Sequence, residues 1–283
     1  MSFPSNNLTV VVAFVTVVFV AYFANLKNRF KAAKPELDKQ DFRKFKLVSK
    51  TQVNSNSFRF VFVLANPENS LGLGIGQCIS IKALVGEKEV TRSYTPISKL
   101  DEKGQFELLI KVYPNGAVSS HMKQLNVGDT ILVRGPKGNF QYQPNKKEKI
   151  LMIAGGSGIT PMYQVIQEIV RDSNDKTKID LLYANIASED ILLRTELDRL
   201  ASKHGDRLTV HYVLQTPPED WTGSVGYVSK ELIEKHIGSP TSNKQVLLCG
   251  PPPMIKAMEG NLVELGFEQP GIISKPEHQI FKF

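Results

Sequence analysis

Cysteine is nearly missing from this chain. Two occur in 283 residues, Cys78 and Cys249. Two cysteines cannot build a disulfide scaffold, and neither lies in a CxxC pair, so zinc-ribbon and thioredoxin-like motifs are excluded. A reducing, cytosol-facing compartment fits best. Internal repeats and low-complexity tracts are lacking, which removes solenoids and long disordered arms. No cluster of metal ligands and no general-base dyad stands out. Charge of one sign is also scarce over most of the chain. The formal net charge is +7, but residues 27–50 hold nine Lys/Arg against three acids, a net of +6. The other residues are therefore close to neutral, and nucleic-acid binding is not indicated.

One long apolar run is present. Residues 8–24, LTVVVAFVTVVFVAYFA, carry no charge. As a helix at about 1.5 Å per residue the run reaches roughly 26 Å, near the thickness of an endoplasmic reticulum bilayer. A signal peptide would want a basic start and a small-x-small cleavage site, and MSFPSNN supplies no charge. A core helix would show a polar face. The run therefore reads as a single-pass membrane anchor within residues 1–26, embedded in a lipid bilayer. The basic residues after it keep the remainder in the cytosol by the positive-inside rule. Residues 27–41 read as a basic linker.

From 42 to 148 the pattern is short alternating runs: FRKFKLV, SFRFVFVL, QCISIKAL, VTRSYTPI, QFELLIKVY and TILVRG. Six strands with turn residues between them predict an antiparallel β-barrel, interrupted by one helix at AVSSHMKQL. At Lys149 the rhythm changes. KILMIAGG is a continuous apolar run, as in a strand buried on both faces. Strand and helix then alternate to the end, predicting an α/β doubly wound domain over 149–283. Its helices are expected at 161–171, 189–202, SKELIEKHI and PPMIKAMEGNLVELG.

Three stretches could carry chemistry. AGGSGITPM (154–162) has Thr160 placed as an N-cap and Pro161 at the first helical position. Gly155, Gly156 and Gly158 permit a close backbone approach, and the helix start offers free N–H groups to an anion. The stretch is not GxGxxG, a P-loop or GxSxG, and a plain strand-to-helix junction is the other reading. CGPPPM (249–254) ends another apolar strand at the same sheet edge, where ligands of open α/β sheets bind. Cys249 can be read there as a small apolar wall. TRSYTPIS (91–98) sets a bidentate donor, a phenol and a hydroxyl side by side, suited to a diphosphate and an aromatic ring. A surface strand with exposed Arg and Tyr is the alternative. LGLGIG (71–76) lies among antiparallel strands and reads as a turn.

Taken together, a barrel with R-x-Y-T and G-x-x-S, followed by GGxGITPM and CGPPPM, resembles the NADH–cytochrome b5 reductase family of ferredoxin-reductase-like flavoenzymes. The resemblance spans about residues 40–283, and the anchor suits the membrane-bound fungal type. It implies FAD and NADH as cofactors and cytochrome b5 as electron acceptor. It implies that Arg92, Tyr94 and Thr95 hold FAD, with Thr95 at the redox-active edge. Lys111, in Ile110-Lys111-Val112-Tyr113, would meet the nicotinamide nucleotide and Tyr113 the FAD. Gly116 to Ser119, including Val118, would grip the FAD diphosphate. Gly155, Gly156, Ser157, Gly158 and Thr160 would border flavin and nicotinamide. Cys249, Gly250 and Pro251 would shape the nicotinamide pocket with Phe281 to Phe283. Thr95, Ser157 and Cys249 would be catalytic.

Three departures from the family pattern stand out: GLGIGQC in place of GLPxGQH, a short loop between Tyr113 and Gly116, and Gln215 where relatives carry an acid that repels a 2′-phosphate. The last leaves NADPH open, along with reduction of ferric chelates or quinones. A membrane-tethered binding module without redox activity is the reading from another class. The resemblance further implies a monomer at the endoplasmic reticulum or outer mitochondrial membrane, with diphthamide synthesis as a second destination for its electrons.

Overall fold

The computed structural model describes residues 35–283, so the expected anchor at 8–24 and most of the linker lie outside the described residues. Among the described residues no helix is long and apolar enough to cross a membrane. The end of the expected linker is not free chain. Leu37 is buried, and the Glu36 carboxylate accepts from the N–H groups of Ala65 (3.0 Å) and Asn66 (3.1 Å) and from Asn69 Nδ2 (2.8 Å). Proximity along the chain says nothing about such a partner thirty residues away.

Six antiparallel strands form the first sheet: β1 (Arg43–Asn54), β2 (Ser57–Val63), β3 (Cys78–Val85), β4 (Lys88–Tyr94), β5 (Gln105–Lys111) and β6 (Thr130–Lys137), in the order β4-β3-β6-β1-β2-β5. Period-2 alternation puts Phe58, Phe60 and Phe62 of β2 inside,. Phe62 stacks on Phe106 of β5 with ring centroids 5.3 Å apart. The two edge strands approach each other just beyond β4, where the Ile97 N–H donates to Glu107 O at 2.9 Å. Helix α1 (Ala117–Gln124) follows β5 and buries Val118 and Met122.

The second sheet is all parallel: β7 (Lys149–Gly155), β8 (Lys178–Asn185), β9 (Leu208–Leu214), β10 (Ser224–Val225), β11 (Lys244–Cys249) and β12 (Ile280–Lys282), ordered β10-β9-β8-β7-β11-β12. β7 is buried on both faces. Helices α2 (Ile159–Arg171) and α3 (Arg194–Lys203) pack into one core cluster, and α4 (Lys230–Ile237) and α5 (Pro252–Glu264) into the other. The chain reverses its direction of growth between β7 and β11, and their carboxyl ends form the switch point where open α/β sheets bind ligands,. Residues 36–283 make one compact unit.

Two helix boundaries differ from expectation. α2 begins at Ile159 after a single 3-10 turn over Gly156–Gly158, so Gly158 is the N-cap and Thr160 lies inside the helix. The Thr160 hydroxyl donates back to Ser157 O at 3.3 Å,. The helix expected over 189–202 is broken. Ser188–Asp190 form a 3-10 turn, and Leu193 adopts a left-handed φ of 59° before α3 starts at Arg194. No glycine or asparagine marks that break in the sequence.

Candidate functional site

A cavity of about 720 Å³ opens where the ends of β4 and β5 face the ends of β7 and β11. Arg92, Tyr94 and Thr95 line it from the β4 edge; Ile110, Lys111 and Tyr113 from β5; Gly116, Val118 and Ser119 from the start of α1. From the α/β side come Gly155, Ser157, Gly158, Thr160, Cys249, Gly250 and Pro251, with Phe281 and Phe283 at the chain end. Gly156 is the one expected site residue that does not line it.

β4 is mostly exposed because it is a sheet edge, which explains why the sequence can place Arg, Tyr and Thr there together. Among the described residues the Arg92 side chain makes one hydrogen bond, from Nη1 to Thr91 O at 2.9 Å, and lies on an exposed strand. Burial pushes the Tyr94 phenol up to about 12, against a smaller opposing pull from Arg92, so it is a neutral donor at physiological pH. Tyr113 OH lies 3.0 Å from Ser157 Oγ and links β5 to the β7–α2 turn across the cavity.

Ser119 Oγ accepts from the Tyr113 N–H (3.3 Å) and donates to Gly116 O (3.1 Å). Its hydroxyl therefore shapes the turn, leaving the first backbone N–H groups of α1 to face the cavity. A Cβ on Gly116 would stand 2.2 Å from Ser119 Oγ. Neither α1 nor α2 has a side-chain cap at its N-terminus. The start of α1 and the Gly156–Gly158 turn ahead of α2, whose Ile159 N–H is already taken by Gly156 O and Ser157 O, thus converge on one cavity, an arrangement that suits paired phosphates,. With Arg92 on the wall and room for a large flat ligand, the residues present fit a flavin dinucleotide alongside a nicotinamide dinucleotide.

The glycines of AGGSG work differently from one another. Gly158 lets α2 touch the next turn: a Cβ there would lie 2.2 Å from Cys249 O. At Gly155 it would meet Met254 Sδ at 2.5 Å and Pro251 Cδ at 2.9 Å. These two hold the β7 and β11 turns together. Gly156 has φ +52° with open space around its missing Cβ, so its role is conformational,. Its carbonyl is held by the buried Tyr183 OH at 3.0 Å, which also accepts the Leu192 N–H at 3.2 Å. Cys249 is a thiol, not a thiolate. Burial pushes it up to about 12, which removes it as a nucleophile and leaves it as a polarisable wall,.

Three residues that support the cleft from behind were not singled out in the sequence. Asp190 pairs with Lys111, Oδ1 to Nζ, at 2.7 Å. Tyr183 anchors Gly156. Gln164, from the middle of α2, bonds to the loop ahead of β3. Only a hydropathy break at Gln164, a polar residue on the apolar face of a helix, hints at the last. Gln215 is exposed at the carboxyl end of β9.

The sequence matches the oxidoreductase FAD-binding domain family over residues 44–142 and the oxidoreductase NAD-binding domain family over residues 152–260. Fold and cavity together therefore define a flavin-dependent oxidoreductase that uses FAD and NADH. Proteins called NADH-cytochrome b5 reductase 1 are similar along nearly the whole chain. The one from Debaryomyces hansenii is 48% identical over 286 residues, covering 100% of both chains. That from Dictyostelium discoideum is 52% identical over 244 residues, 86% of this chain and 85% of its own. Among solved structures, the cytochrome b5 reductase domain of Ulva prolifera nitrate reductase superposes with a TM-score of 0.81 at 35% identity, over 88% of this chain and all of that one. The chain belongs to the NADH-cytochrome b5 reductase family.

Proposed function

We propose that the protein passes electrons from NADH to cytochrome b5 at the surface of a cellular membrane. One observation carries this reading: the uncapped starts of α1 and α2, one from each sheet, open onto the same cavity. Bound FAD supplies the conversion of a two-electron donor into single electrons for a haem. Arg92 neutralises the diphosphate, Tyr94 packs against the ring system, and Thr95 stands at its reactive edge. The backbone from Gly116 to Ser119 grips the phosphates. Lys111, Ser157, Thr160 and the Cys249–Pro251 turn place the nicotinamide, with Phe281 and Phe283 excluding water. Orientation of two rings in contact is the main contribution of the protein to such a transfer.

The apolar run at 8–24 anchors the chain in the endoplasmic reticulum or outer mitochondrial membrane, with the catalytic part in the cytosol. Sharing a membrane with a tethered acceptor raises the effective concentration of both. The protein acts as a monomer, and a carrier of diphthamide synthesis is a second acceptor. Gln215 favours a wider coenzyme range, since an exposed amide does not repel a 2′-phosphate as an acid does. The test is the visible spectrum of the purified protein, recorded before and after anaerobic NADH and then with added cytochrome b5. A yellow protein that bleaches with NADH and recovers its colour as the haem is reduced is the expected result. A colourless protein that does not take up FAD overturns it, as does a bleached protein that leaves the haem oxidised. Rates with NADPH measure the coenzyme preference.

A further inference from the structure

Gln164 is the sixth residue of α2 and is 1% exposed. Its Oε1 accepts the Gly76 N–H at 2.7 Å, and its Nε2 donates to Gln77 O at 3.1 Å. A carboxamide is a neutral side-chain group that can satisfy an adjacent backbone donor and acceptor at once. The loop it clasps is closely packed. Gly76 sits at φ +76°, and a Cβ there would lie 2.3 Å from Phe140. The Phe140 ring in turn packs on Phe281, centroids 4.9 Å apart. Cys78 follows directly and starts β3, where Ile79 pairs with Tyr94 of β4. A continuous path of contacts therefore runs from α2 through Gln164 and the 76–77 loop to the strand edge that carries Tyr94 and Thr95.

The start of the same helix carries Thr160, next to the Ser157 turn, at the other wall of the cavity. We propose that Gln164 is a positioning residue for hydride transfer: it sets the distance and angle between the nicotinamide wall and the flavin wall. The proposal rests on the reading of the cavity as the site where the two cofactors meet. The contrast within the molecule is Arg171, on the same helix. It reaches Asp101 at 2.8 Å, but both side chains are about half or more exposed, and such a pair constrains little,.

The experiment compares wild type, Gln164→Leu and Arg171→Ala by three readouts. These are the limiting rate of flavin reduction by NADH in stopped flow with its deuterium isotope effect, hydrogen exchange of the peptide spanning Gly76, and thermal midpoint. Gln164→Leu is expected to slow the limiting rate at least tenfold and to raise the isotope effect. The apparent affinity for NADH should stay within twofold, and exchange at Gly76 should speed up at least tenfold. Arg171→Ala is expected to match wild type in rate. If Gln164→Leu does not fold, Gln164→Glu, which keeps the acceptor and loses the donor, takes its place with the same expectation. A lowered thermal midpoint with an unchanged rate and isotope effect would reduce Gln164 to a structural residue and overturn the proposal. A wild-type flavin that NADH fails to reduce would instead overturn the functional reading itself.

Discussion

Lys111 and Asp190 are 79 residues apart in the chain and form an ion pair of 2.7 Å across the two halves of the molecule. Both side chains are largely withdrawn from solvent, 14% and 20% exposed. Partial burial strengthens the pair, and Asp190 also caps its own turn by accepting the Ala187 N–H at 3.4 Å,. The lysine is thus held in place at the cavity wall. Lys111→Met is expected to raise the KM for NADH about tenfold, near 1.4 kcal/mol of binding. FAD content should stay unchanged. Steady-state kinetics together with the ratio of flavin to protein absorbance decide both points.

The Arg92 side chain makes no bond that the fold depends on, because its one acceptor among the described residues is the neighbouring Thr91 carbonyl. Arg92→Ala should therefore shift unfolding free energy by no more than about 0.5 kcal/mol, as for an ordinary surface change. Retained FAD after gel filtration should fall several-fold. A variant that keeps full FAD would remove Arg92 from the diphosphate site.

The two glycines of the β7–α2 turn should respond oppositely in magnitude. Gly158→Ala drives a methyl into the Cys249 carbonyl, a backbone atom that cannot rotate away. Its cost should be about 3 kcal/mol or more, seen as a large drop in thermal midpoint. Gly156→Ala meets no neighbour and carries only the strain of φ +52°, about 1 kcal/mol,. Equal destabilisation of the two variants would contradict the contact between the turns.

Acid stability should depend on Asp180 of β8. Burial would raise its carboxyl, but hydrogen bonds from His236 Nδ1 (3.1 Å) and Lys149 Nζ (3.0 Å) outweigh that and hold it below its ordinary value. A carboxyl depressed on folding stabilises the native state above its unfolded value, about 3.9, and that contribution is lost as pH falls through the folded value. Asp180→Asn should cost on the order of 2 kcal/mol at neutral pH, as for loss of hydrogen bonds to a charged group. It should also flatten the acid limb of a stability-against-pH curve measured by urea unfolding.

Much of the fold is legible in the sequence. The phenylalanines of β2 alternate with period two, and KILMI is apolar throughout, so strand type followed directly from which faces must leave water. The helix starts after Gly158 and Pro251 were marked by glycine and proline, though the 3-10 turn moved one boundary by two residues. The break at Leu193 carried no such mark, since a leucine in the left-handed region is forced there by packing and not by its own preference.

By itself the sequence determined the two halves, their order, and the residue types suited to a dinucleotide, because these depend on local periodicity and on backbone freedom at a few turns. Tertiary structure alone decided what those residues touch. Glu36 holds Ala65 and Asn66, Lys111 meets Asp190, and Gln164 clasps Gly76 and Gln77, each pairing joining elements about 30 to 90 residues apart. Hydrogen bonds and ion pairs of that kind have no period along the chain. They exist only once the burial of both sheets has brought the partners within hydrogen-bonding distance and has excluded the water that would otherwise compete for them.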